Sequence, residues 1–106
     1  MEIMGKEVLW IRNEGLSMKT VIRVGITERL TNILNSIKAI RLLSEGRCVN
    51  EDFPFALIEY GKRKILLKSP ISGFILEVNK EVLKNPQLIN NDPYGKGWLA
   101  LIKPTP

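Results

Sequence analysis

The chain has 106 residues, one cysteine and no histidine, and its formal net charge at pH 7 is +5. This length suits a single domain, and a lone cysteine excludes an intramolecular disulfide. With Cys48 as the only thiol and no imidazole, the common zinc ligand sets and the Ser–His and Cys–His catalytic pairs are excluded as well. We therefore expect a protein with no catalytic residues and no metal site.

The N-terminus lacks the charged and apolar regions of a secretory signal peptide. No apolar run is long enough to span a bilayer. The pI is about 9.6, but the basic residues are spread along the chain. Their one tight cluster, Lys62–Lys64, has no interleaved aromatic side chains on which nucleic acid bases would stack. We expect a cytoplasmic monomer that binds neither membranes nor nucleic acids.

Two strands are predicted near the N-terminus. Val8–Arg12 and Met18–Val24 alternate in part between apolar and polar residues, which is the pattern of a half-buried strand. Asn13–Gly15 lies between them and consists of residues that favour turns. The first quarter of the chain therefore predicts a strand, a turn and a second strand.

The next segment allows two interpretations. Thr27 is a suitable N-cap, and apolar residues at helical spacing follow it, which predicts one helix over Glu28–Leu42. The same residues allow a shorter helix followed by a strand over Ile37–Leu43, and periodicity alone leaves both open. Ser44–Arg47 predicts a turn. Cys48 comes next and is predicted to be a partly buried strand residue, because cysteine behaves as a small hydrophobe.

The middle of the chain predicts a hairpin. Phe53–Tyr60 is a strand candidate, and Pro54 lies near its start, where a missing amide donor is tolerated. Gly61–Arg63 interrupts the apolar pattern, which then resumes. We therefore predict a hairpin over Phe55–Leu67 with Lys62 at its tip. A hairpin tip projects beyond the sheet, so an amine there is accessible to an enzyme.

The C-terminal third predicts strands and a short helix. Phe74–Val78 and Trp98–Ile102 are strand candidates, and Asn79 can cap a helix over Lys80–Lys84. The tail Lys103–Pro106 contains two prolines and is expected to fray. In sum, residues 1–106 predict one all-β domain of short strands with one or two short helices.

Several motifs resemble those of one known family. Ser69-Pro70-Ile71-Ser72-Gly73, Glu77-Val78-Asn79 and Asn91–Trp98 are similar to motifs of the H protein of the glycine cleavage system. The similarity runs without gaps from Val21 to Ile102, and its most specific part is the run of turn formers that ends in Gly97-Trp98. The resemblance implies a lipoyl-type flattened β-barrel or sandwich hybrid. It also implies that Ile37–Leu43 is a strand.

The resemblance also implies a modification site. Proteins of that family carry lipoic acid in amide linkage on one lysine, eight residues before the proline of the Ser-Pro motif and three residues after a glutamate. In this chain that register falls on Lys62 and Glu59. The resemblance therefore implies covalent lipoic acid on Lys62, with Glu59 and Gly73 as candidates for recognition by the modifying enzyme.

The implied function is that of a lipoyl carrier, which shuttles an aminomethyl group between enzymes. Its implied partners are glycine decarboxylase, aminomethyltransferase, dihydrolipoyl dehydrogenase and a lipoate-attaching enzyme.

Beside Lys62 the chain has Tyr60, Gly61 and Arg63 where the family usually has Ser-Val and Ala, and it is basic where the family tends to be acidic. Two alternatives stay open, and these differences motivate the first. One is an H-like lipoate-binding protein of another pathway, such as heterodisulfide-reductase-like sulfur oxidation, and the other is an unlipoylated binding or scaffold module.

Overall fold

The structure is a computed structural model that describes residues 1–15 and 19–105. Strands dominate it, so the predicted all-β class is confirmed. The elements in chain order are β1 (Glu2–Met4), a 3-10 turn (Lys6–Val8), β2 (Leu9–Asn13), β3 (Ile22–Ile26), α1 (Glu28–Thr31), β4 (Ala39–Leu42), β5 (Cys48–Val49), β6 (Pro54–Tyr60), β7 (Arg63–Lys68), β8 (Gly73–Val78), α2 (Lys80–Lys84), α3 (Gln87–Asn91) and β9 (Ala100–Pro104).

The strands form two sheets around one aliphatic core. The first sheet has the order β1-β7-β6-β4, and the second has the order β2-β3-β9-β8-β5. Neighbouring strands are antiparallel except β1, which runs parallel to β7. Because successive strand residues point to opposite faces, alternate side chains of each sheet enter the shared core. Fully buried examples are Ile58, Ile65 and Leu67 in the first sheet and Val24, Ile75 and Ile102 in the second.

Long-range contacts tie the loop before β9 to the N-terminal strands. Trp10 lies against Gly25, where any Cβ would overlap the indole ring. The Trp10 Nε1–H donates to the carbonyl of Pro93 at 2.9 Å. The Tyr94 hydroxyl oxygen accepts from the Glu28 N–H at 3.0 Å, so it satisfies one of the free amides at the start of α1. These contacts fix the Asn91–Trp98 motif against the start of the chain.

The N-terminal predictions are confirmed with small shifts. Val8–Arg12 corresponds to β2, and the end of the second predicted strand corresponds to β3. Met18, where that second strand was predicted to begin, lies outside the described residues. Thr27 occupies the N-cap position, but its side chain makes no capping bond. Its Oγ1 instead donates to the Val8 carbonyl at 3.3 Å.

The structure decides between the two interpretations of the segment after Thr27. Helix α1 ends at Thr31, and a strand, β4, follows at Ala39–Leu42. The split into helix and strand is therefore right, and the single long helix is wrong. Leu34 and Ile37 are nevertheless fully buried, because the irregular chain between α1 and β4 places them in the core.

The expected burial of Cys48 and the expected number of helices are both wrong. Cys48 lies in a strand as predicted but is exposed. In the two-residue strand β5 the inward position is taken by Val49, so its neighbour faces outward. The described residues also contain three α-helices instead of one or two. The additional helix, α3, begins directly after Pro86, and proline is compatible with the first turn of a helix.

The predicted fraying of the C-terminal tail is also wrong for the residues that the structure describes. Lys103 and Pro104 extend β9 and pair with Phe74 and Gly73 of β8. The Thr105 N–H then donates to the Ser72 carbonyl at 3.1 Å. Pro104 is tolerated because it is the last residue of its strand. Pro106 lies outside the described residues.

Candidate functional site at the β6–β7 turn

Lys62 lies in the two-residue turn that joins β6 to β7. The strands pair as far as Tyr60 and Arg63, so only Gly61 and Lys62 reverse the chain. Gly61 has a φ of +54°, whereas the φ of Lys62 is negative. A two-residue hairpin turn with positive φ at its first position alone is of type II′, which favours glycine there. The prediction that Lys62 lies at a hairpin tip is confirmed.

Among the described residues the amine of Lys62 is unpaired, unlike the charges beside it. The residue is exposed, and its Nζ makes no hydrogen bond or ion pair with any residue of 1–15 or 19–105. Both following cations have carboxylate partners: Arg63 Nη1 lies 3.2 Å from Glu2, and Lys64 Nζ lies 3.6 Å from Glu59. The turn therefore presents one unpaired amine on a rigid hairpin.

The N-terminal strand braces the base of this turn. The Glu2 carboxylate accepts from Arg63 Nη1 at 3.2 Å and from the Tyr60 hydroxyl at 3.5 Å, so it contacts residues on both sides of the turn. We call this contact the Glu2 brace. Sequence reasoning missed it because Glu2 lies 58 and 61 positions from its partners. No local pattern predicts that a three-residue strand pairs in parallel with β7.

Glu59 lies close to the turn, three residues before Lys62. Its carboxylate faces Lys64 across the β6–β7 pair, at an Oε1–Nζ distance of 3.6 Å. A partly exposed pair of this kind contributes at most about 1 kcal/mol, so the fold does not depend on it. The structure thus brings Glu59 and Lys62 into one region, and recognition of Glu59 by a modifying enzyme stays a prediction.

Gly73 lies in the second sheet, away from the turn. It starts β8, after a connection that leaves β7 at Lys68. Strand β7 alone separates that connection from the turn by roughly 17 Å of extended chain. A Cβ on Gly73 would lie 2.5 Å from the Lys103 carbonyl oxygen. The close approach of β9 therefore explains why this position is glycine, and the structure does not bring Gly73 together with Lys62.

The described residues contain neither a cluster of metal ligands nor a membrane-spanning helix. No three His, Cys, Asp or Glu side chains in residues 1–15 and 19–105 converge in a way that could hold a metal ion. In the same part of the chain, no helix has the length and apolar character needed to cross a membrane.

Sequence comparison relates the chain to one family. The family profile described as Glycine cleavage H-protein matches residues 3–106. A relative named probable glycine cleavage system H protein 2, from Sulfurisphaera tokodaii, is 41% identical over 95% of this chain and 66% of its own length. The glycine cleavage system H protein of Herpetosiphon aurantiacus is 39% identical over 90% of this chain and 70% of its own length.

Structure comparison agrees with these matches. The crystal structure of a glycine cleavage system H protein from Mycobacterium marinum superposes with a TM-score of 0.84 and 32% sequence identity, covering 93% of this chain and 80% of that one. The chain spans slightly less than two thirds (64–66%) of the length of three relatives named probable glycine cleavage system H protein 2. Because the family profile covers nearly the whole chain, this chain belongs to the glycine cleavage system H-protein family.

Proposed function

We propose that this chain is a lipoyl carrier of the glycine cleavage system, with lipoate in amide linkage on Lys62. Proteins of the family carry lipoate on a lysine. The observation that carries the proposal is the type II′ turn, which presents an exposed Lys62 amine with no partner among the described residues. That lysine also occupies the register at which the family carries its modification. An acceptor amine at such a tip fits covalent lipoate.

The part of the protein in this proposal is presentation. A hairpin held by paired strands confines the amine to a small volume, and its exposure lets the active site of an enzyme close around it. The lipoate-attaching enzyme supplies the lipoyl group with its carboxyl carbon bonded to an activating group. Lys62 Nζ, after loss of a proton, bonds to that carbon as the activating group leaves, and a second proton leaves the nitrogen. The side chain thereby loses its positive charge. When attached, the lipoyl group supplies the redox and aminomethyl-transfer chemistry, so the chain itself is not an enzyme.

The partners that we propose are glycine decarboxylase, aminomethyltransferase, dihydrolipoyl dehydrogenase and a lipoate-attaching enzyme. The names of the relatives support glycine cleavage over other lipoate-dependent pathways. A second candidate, a carrier for heterodisulfide-reductase-like sulfur oxidation, is favoured by one observation. Tyr60 and Arg63, which make the Glu2 brace, flank the acceptor lysine, where the family usually has serine and alanine.

Intact mass spectrometry of the protein purified from its own host tests the modification. We expect a lipoyl-sized increment that peptide mapping assigns to Lys62. Lys62→Arg should lose the increment, and the matched variant Lys64→Arg should keep it. A wild-type chain without the increment would support the unlipoylated binding or scaffold module instead.

A second experiment separates the two pathways. Lipoylated protein is assayed with glycine decarboxylase for exchange of the glycine carboxyl carbon with bicarbonate. We expect exchange with the wild-type chain and none with Lys62→Arg. If the fully lipoylated wild-type chain supports no exchange, the carrier serves another pathway.

A further inference from the structure

The outward face of the first sheet carries an apolar row. The strand registers align Ile3 of β1, Leu66 of β7 and Leu57 of β6, and they place Arg41 of β4 at the end of that row. We call these four residues the outer stripe. Ile3 is 60% exposed, and Leu57 and Leu66 are half-buried.

The outer stripe faces away from the core. Its neighbours along the strands, Ile40, Ile58 and Ile65, are buried. Because alternate strand residues point to opposite faces, the stripe residues lie on the solvent side of the sheet. Ile3 buries little surface within the chain itself, and Leu57 and Leu66 stay partly exposed beside it. Such a row is a candidate for contact with another molecule.

The stripe is close enough to Lys62 to share one interface with it. Leu66 follows Lys62 by four residues, or about 13 Å along an extended strand. A standard interface covers about 800 Å² on each partner, which corresponds to a disc of about 16 Å radius. The inward face of the sheet is closed by the core. An enzyme interface of this size that is centred on Lys62 therefore reaches the outer stripe.

The charges around the stripe define the chemistry of the partner. Arg41 is exposed and forms no ion pair with the described residues. Lys64 of β7 pairs with Glu59 of β6 in the row of residues that lies between the outer stripe and the turn. Glu59 is the one carboxylate among the residues named in that row and in the stripe. Protein interfaces combine an apolar centre with a polar rim, and complementary charges steer encounter and fix orientation. A partner for this face would have an apolar patch bordered by carboxylates.

We propose that the outer stripe is the surface on which the lipoate-attaching enzyme docks when it modifies Lys62. This inference rests on the proposed function. The enzyme meets the chain before modification, when Lys62 and Arg41 both carry positive charges that no described residue pairs, whereas Lys64 is already paired with Glu59. Its apolar patch covers Leu57 and Leu66, and its carboxylates face the cations.

The test measures lipoylation kinetics with a purified lipoate-attaching enzyme of the same host, followed by intact mass. The double variant Leu66→Thr/Arg41→Glu removes apolar surface and reverses a charge in the stripe. Its matched control, Leu76→Thr/Lys103→Glu, makes the same changes on the outward face of the second sheet, where Leu76 is 41% exposed. Loss of binding that is equal in ground and transition states raises KM and leaves kcat unchanged. We expect KM to rise about tenfold in the stripe variant alone, with kcat within about twofold.

The remaining outcomes of this test distinguish failure of the docking surface from failure of the proposed function. Equal KM values for the two double variants would overturn the docking surface, whereas a wild-type chain that the enzyme never modifies would overturn the proposed function. If Leu66→Thr fails to fold, the single variant Arg41→Glu at an exposed position should still raise KM, and more so at low salt. A wild-type dimer that Ile3→Thr dissociates would make the stripe a contact between copies and reject enzyme docking.

Discussion

At the scale of single residues, the two positions of the β6–β7 turn have separate roles. Lys62 provides the amine, and Gly61 provides the positive φ that a type II′ turn needs at its first position. A Cβ on Gly61 would meet no atom within 4 Å. Backbone conformation, and not lack of space, therefore selects glycine at this position.

Replacing Gly61 should destabilise the turn without creating a clash. We expect Gly61→Ala to lower the free energy of unfolding by about 1 kcal/mol, because a residue with a Cβ adopts positive φ at a cost. Gly61→Asn should lose less, since asparagine tolerates this region better. Urea denaturation measures both, and lipoylation of Gly61→Ala should be slower because Lys62 is less confined.

Gly46 provides the matched control. It also has positive φ, +91°, with open space around its Cβ position, but it lies before β5 in a different turn. Gly46→Ala should lose similar stability and keep the wild-type lipoylation rate. Wild-type stability in Gly61→Ala would show that the turn does not need a glycine.

The site was predictable from sequence in one part and not in another. Lys62 could be placed at a hairpin tip and proposed as the acceptor because a strand, a glycine-containing break and a second strand are contiguous, and because the spacing to Pro70 is a local property of the sequence. The Glu2 brace joins β1 to residues about sixty positions away. That contact depends on how the sheet assembles, so no spacing within the sequence indicates it.

At the scale of elements, the early end of α1 shows why apolar periodicity was insufficient. The Asn90 side chain, from α3, donates to the carbonyls of Thr31 and Leu34 and accepts from the Ile37 N–H at 3.4 Å. These bonds satisfy backbone groups that a continued helix would have paired internally. Leu34 and Ile37 are buried in either arrangement, so hydrophobic spacing fits both. The deciding side chain lies more than fifty positions away.

Asn79 was predictable as a helix cap, but it has a second role. Its Oδ1 accepts from the Glu81 N–H at 3.1 Å, which confirms the predicted cap of α2. Its Nδ2 also donates to the carbonyls of Lys96 and Trp98 at 2.8 and 2.7 Å. The residue is only 4% exposed. One amide therefore joins the start of α2 to the segment that leads into β9.

Two substitutions at Asn79 separate capping from this connection. Asn79→Ala should cost about 3 kcal/mol, since it removes a cap worth about 1 kcal/mol and two further hydrogen bonds of a buried side chain, worth about 1 kcal/mol each. Asn79→Asp keeps a good cap but places a carboxylate against those carbonyl oxygens. We expect it to be at least as destabilising in urea denaturation. Near-wild-type stability of Asn79→Asp would mean that capping alone matters.

At the scale of the whole molecule, the excess of basic residues should make the fold less stable in acid. The formal net charge is +5 at pH 7 and rises to +16 when all eleven side-chain carboxyl groups are protonated. This charge repels itself and disfavours the compact state. Stability in acid therefore depends on carboxylates that resist protonation because they have cationic partners in the fold.

Glu14 is such a carboxylate, and its cationic partners lie on two neighbouring strands, Arg12 on the edge strand β2 and Arg23 on β3. Its oxygens accept from Arg23 Nε and Nη2 at 2.6 and 2.8 Å and from Arg12 Nε at 2.8 Å. The Arg23 guanidinium also lies over the Trp98 ring, 4.4 Å from its centroid. Hydrogen bonding to Arg23, followed by the contribution of Arg12, lowers the pKa of Glu14 to about 2.

The expected pH dependence follows from the direction of this shift. A carboxyl whose pKa is lower in the folded state stabilises the fold above its unfolded pKa, here 4.5, and this contribution disappears as the pH falls toward 2. Wild type should therefore be more stable than Glu14→Gln at pH 6, and the difference should shrink between pH 4.5 and 2. Urea denaturation across that range measures the difference, and NMR titration of the Glu14 carboxyl carbon measures the pKa directly.

In Arg23→Gln the same carboxyl should titrate at higher pH. Glu51→Gln, which removes a single exposed pair with Lys6 at 3.2 Å, should change stability less, because exposed pairs contribute little. A difference between wild type and Glu14→Gln that stays constant from pH 6 to pH 2 would contradict the role assigned to Glu14.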